Sequence, residues 1–120
     1  TPLHSAAIAG YCSMVNLLLN RKATKEAVDT NKATPLHHAC LNGAEEVVKE
    51  LLLAGVNIEA KTTIGWTPLY TAASKGHRGI VELLLSRKAN IEAKTNEGWT
   101  ALHAASNLGH ESTVKLLLEK

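Results

Sequence analysis

Histidine and cysteine are the residue types in this 120-residue chain with the most obvious chemical potential. The histidines are His4, His37, His38, His77, His103 and His110, and the cysteines are Cys12 and Cys40. His37 and Cys40 stand three residues apart, the spacing that brings two side chains onto one helix face, whereas His38 and Cys40, two apart, point to different faces. Two potential ligands without a third make a poor zinc site, and neither cysteine belongs to a CxxC pair. No metal and no other cofactor is expected. Motifs of the GxSxG, P-loop, HExxH and Gly-rich dinucleotide types are absent as well. The chain therefore reads as a non-enzyme, with no catalytic residues and no small-molecule substrate.

Most of the histidines are instead members of a repeat. Thr1, Thr34, Thr67 and Thr100 lie 33 residues apart and open the segments TPLHSAAIAG, TPLHHACLNG, TPLYTAASKG and TALHAASNLG. A period of this size marks a solenoid. Threonine followed by proline starts a helix, because the hydroxyl accepts from a free N–H in the first turn and proline gives up a donor that had no partner. Leu36, Ala39 and Cys40 then share one face and are small enough to let a neighbouring helix come close. Gly10, Gly43, Gly76 and Gly109 end that helix. A second helix follows, with Val47, Val48, Leu51 and Leu52 recurring as Ile80, Val81, Leu84 and Leu85. Both helices are too short to persist alone in water, so stacking must fold the chain. Loops such as NIEAKTTIGW and NIEAKTNEGW join the units, and their Asn and Gly residues predict a hairpin-like path.

Composition agrees with a chain that can bury a core. Hydrophobic residues make up 45% of the chain and phenylalanine is absent, so the core must be aliphatic. The apolar runs are far shorter than the roughly 20 residues a membrane-spanning helix needs. Thirteen Lys and Arg against eleven Asp and Glu leave a net charge of +2, too balanced to imply a polyanionic partner. The doublets Arg21-Lys22 and Arg87-Lys88 recur at the ends of second helices, where they complement the helix dipole. That placement argues against nucleic acid as the partner. The first residues carry no signal-peptide pattern, which with two cysteines outside any disulfide framework points to an intracellular, cytoplasmic or nuclear compartment.

The 33-residue period with TPLHxA, then GH, then a Leu-rich helix and a hairpin, resembles the ankyrin repeat across the whole chain. The resemblance implies an all-α repeat solenoid, in which stacked antiparallel helix pairs are joined by hairpin-like loops and the concave side carries the hairpin tips and first helices. It divides residues 1–120, read as one domain, into units 1–33, 34–66, 67–99 and 100–120. It also makes His4, His37 and His103 structural, and Tyr70 in that column is expected to loosen its junction. The family's glycine after the second helix survives as Gly55 but is Lys22 and Lys88 elsewhere, and an L-residue held in the left-handed region costs about 1 kcal/mol. Lys32 replaces the hairpin glycine kept as Gly65 and Gly98, so the first hairpin should be the least regular. Glu26, Glu59 and Glu92 stand where the family often carries a hairpin asparagine. Neither end resembles a polar capping repeat, which suggests a piece of a longer array or ends packed against something else.

Residues that the framework does not explain are the binding candidates. Trp66 and Trp99 share one column, where each ring could brace its hairpin or, about 10 Å from its counterpart, form an aromatic ladder facing a partner. Ile64 falls at a hairpin tip, and Leu41 is apolar in a column that should face water. Asn42, His38, Thr71, Ser74 and Lys75 on the first helices, with Asn96 and Glu97 on a hairpin, complete the set. The expected function is recognition of a partner protein through the concave face, by a chain that is monomeric or part of a longer one. The alternative is a structural spacer within a longer ankyrin array.

Overall fold

The computed structural model describes residues 31–119, and His4, Gly10, Cys12, Lys22 and Glu26 of the first unit lie outside them. Six helices follow one another: α1 Pro35–Asn42, α2 Glu45–Leu53, α3 Pro68–Ser74, α4 Arg78–Ser86, α5 Ala101–Asn107 and α6 Glu111–Glu119. No strand occurs among the described residues. The expected all-α repeat solenoid is the observed architecture. First helices α1, α3 and α5 pack in a row, second helices α2, α4 and α6 pack in another, and each first helix also packs on its own partner.

The start of each first helix follows from its opening residues. Thr34, Thr67 and Thr100 are extended N-caps whose hydroxyls accept from the N–H three residues on, and Pro35 and Pro68 occupy the first turn. In α1 and α5 the histidine closes a reciprocal bond, with His37 Nδ1 accepting from the Thr34 N–H at 3.1 Å and His103 Nδ1 from Thr100 at 3.0 Å. Satisfying two orphan donors at once is what makes such a box stabilising.

The helix pair then turns tightly. Ala44, His77 and His110 each donate a backbone N–H, at 3.0 Å, to Ala39, Ala72 and Ala105 respectively. The glycine before each donor has positive φ, and Gly43 and Gly76 meet a second demand. A Cβ on Gly43 would lie 2.8 Å from the His77 ring, and one on Gly76 would lie 2.6 Å from the His110 ring. The histidines of the GH turns are therefore staples between units: His77 Nε2 bonds the Leu41 carbonyl at 3.3 Å and His110 Nε2 bonds that of Ser74 at 3.1 Å.

Second helices α2 and α4 have no side-chain N-cap and are held by burial of one stripe, Val47, Val48, Leu51 and Leu52 in α2 and Ile80, Val81 and Leu84 in α4. Small residues line the joint between first helices, with Ala39, Cys40, Ala72, Ala73 and Ala105 all fully buried. In α6, Thr113 takes a core position and its hydroxyl has no hydrogen-bond partner.

The loops are narrow turns closed at their base. Thr62 donates to the Trp66 carbonyl at 3.0 Å, and Thr95 to that of Trp99 at 2.8 Å. Successive tips are tied sideways, Thr63 N–H to the Asn31 carbonyl at 2.9 Å and Asn96 N–H to that of Ile64 at 3.2 Å. Lys32 takes φ 61°, the left-handed region that Gly65 and Gly98 occupy at 84° and 83°, so its backbone conforms although its residue type does not. The rest of that first hairpin lies outside the described residues. Lys88 likewise takes φ 66° where Gly55 takes 79°.

Candidate functional site

Two loops and two helices converge on one cleft of about 360 Å³. Helix α1 contributes His37, His38 and Leu41, and the following hairpin contributes Thr62, Thr63, Ile64 and Trp66. Asn31, Ala33 and Thr71 complete the lining. The wall is largely apolar, and among the described residues that line it none carries a carboxylate or an ammonium group.

The local structure explains why these side chains meet. His37 is buried, and while its Nδ1 caps the helix start, its Nε2 lies 2.8 Å from the Trp66 carbonyl of the next hairpin. That bond fixes the hairpin against α1 and so sets the position of the Trp66 ring beside the cleft. Thr62 holds the same hairpin from within, its hydroxyl accepting from the Trp66 N–H at 3.2 Å. Leu41 stays 39% exposed although its carbonyl is bonded by His77, because the bulk of the side chain leaves the helix end on the side of the cleft.

The candidates therefore divide. His38, Leu41, Ile64, Trp66 and Thr71 line the cleft. Asn42 and Lys75 are exposed at the ends of α1 and α3, apart from its lining. Asn96 is exposed but engaged, its Nδ2 donating to the Thr63 carbonyl at 2.9 Å. Glu97 is exposed near Tyr70. Thr71 and Ser74 are corrections to the expectation that outer first-helix positions face water: they are 4% and 7% exposed. Their hydroxyls turn back onto the helix, Thr71 to the Thr67 carbonyl at 3.1 Å and Ser74 to that of Thr71 at 2.8 Å, which satisfies both groups without solvent.

The two tryptophans have separate surroundings. Each ring packs on the side chain four residues ahead in sequence, Trp66 on Tyr70 with centroids 4.7 Å apart and Trp99 on His103 at 5.8 Å. Trp66 borders the cleft, whereas Trp99 borders a separate shallow depression with Leu102, His103, Ser106 and Asn107. Both rings make the contact that bracing requires, and Trp66 also has a place in the cleft. Thr62, Thr63, Asn31 and Ala33 were not among the sequence candidates. Their signal was adjacency: they flank Ile64 or precede Thr34.

Among the described residues, burial shifts two titrating groups. Complete burial pushes the Cys40 thiol far above its ordinary range, which leaves it unreactive. Burial, and secondly the Glu97 carboxylate, raise the Tyr70 phenol. Among the described residues no three His, Cys, Asp or Glu side chains gather as metal ligands, and no helix is long and apolar enough to cross a membrane.

A family model for ankyrin repeats in three copies matches residues 1–62 and 46–120, and so spans the chain. The chain belongs to the ankyrin-repeat family. Such repeats are generally protein-interaction modules without catalytic activity, which agrees with a stack whose histidines cap helices and staple units. Among curated proteins none matches this ankyrin chain.

Proposed function

We propose that the chain recognises a partner protein through the surface shared by its first helices and hairpin tips, the concave face in an ankyrin stack, with the cleft at Leu41, Ile64 and Trp66 as its centre. The observation that carries this reading is convergence. Leu41 and Ile64 are large apolar side chains left exposed on different elements, and they border one cleft with Trp66. Isolated exposed apolar residues need no explanation, but a shared apolar depression with polar groups at its edge is how binding sites are built. Docking onto a preformed surface concentrates affinity in a few central side chains.

Affinity capture with the wild-type chain, a Leu41→Glu, Ile64→Glu double variant and a Leu53→Glu control tests the proposal. Leu53 is exposed on α2 and does not line the cleft. A partner retained by wild type and control and lost by the double variant supports the proposal. Equal capture by all three overturns it and places the contact on another face, whereas a chain that captures nothing in any form is left with the spacer reading.

A further inference from the structure

We draw no further inference here: the strongest candidate, the largely apolar depression between α5 and α6 at Gly109, Val114 and Lys115, lies on an end face of the stack, and nothing in the structure shows what covers it.

Discussion

Units 34–66 and 67–99 share one backbone plan and differ in how they hold the unit that follows. In the first, His37 both caps its helix and reaches the Trp66 carbonyl, so the next hairpin is bonded to the helix in front of it. In the second, Tyr70 takes the same column. The Thr67 hydroxyl still accepts from the Tyr70 N–H at 3.1 Å, but the reciprocal half of the box is missing and no bond joins Tyr70 to the Trp99 carbonyl. The phenol ring packs on Trp66 instead. The end of the first helix differs in the same pair of units. Leu41 and Ser74 both offer their carbonyls to a GH-turn histidine, yet leucine remains partly exposed and serine is buried with its hydroxyl turned inward. A repeat column thus prescribes the backbone and leaves the side chain free to form a cleft in one unit and close the surface in the next.

The largest way to break this comparison is His37→Ala. It leaves the Thr34 N–H without its capping acceptor and removes the second partner of the Trp66 carbonyl, so a loss of about 2–3 kcal/mol is expected from groups left unpaired near the core. Urea denaturation followed by circular dichroism measures it. Tyr70→Ala, with no reciprocal cap or carbonyl bridge to lose, should cost about half as much, mainly through the ring contact with Trp66. Equal losses would mean that the histidine bridge contributes little and that the two junctions are energetically alike.

The repeat was legible because its determinants are local. Thr34 and Pro35 specify a helix start whatever lies around them, and the spacing of Val47, Val48, Leu51 and Leu52 specifies which stripe is buried. The candidate site was less legible, because it depends on the choices side chains make among neighbours. Nothing in the column of Trp66 and Trp99 says that each ring will pack on the side chain four residues ahead, at the start of the next unit, since that depends on which ring stands there and how the hairpin is held. Thr71 and Ser74 have polar types that suggest solvent, but a hydroxyl can be satisfied by its own helix carbonyls, and that option is invisible to a reading by polarity. Leu41 and Ile64 were legible for the opposite reason: large apolar side chains at positions with no core to enter remain exposed wherever the backbone takes them.

A smaller effect of opposite sign in the two units comes from the turn after the second helix. Gly55 and Lys88 occupy matched left-handed positions, and only the lysine is strained there. Lys88→Gly should therefore raise stability by about 1 kcal/mol, and Gly55→Lys should lower it by about as much. Denaturation midpoints of the two variants against wild type sharpen the comparison. A loss in Lys88→Gly would show that its aliphatic stem or its charge at the end of α4 outweighs the backbone strain.

The smallest difference concerns pH and belongs to unit 67–99 alone, because its His37 counterpart is a phenol. Burial, and secondly Glu97, raise the Tyr70 pKa in the folded state, which means that folding favours the protonated ring. A group shifted upward contributes its stability below the unfolded value, about 10 for tyrosine, and loses it as pH rises through the folded value. In neutral and acidic solutions that contribution is fully present and does not vary with pH, and Tyr70→Phe should blunt the alkaline loss of stability. Glu97→Gln removes the lesser cause, so the phenolate should appear at lower pH than in wild type while still above the unfolded value, as ultraviolet absorbance can follow. An unchanged titration in Glu97→Gln would remove Glu97 as a cause of the Tyr70 shift and leave burial alone.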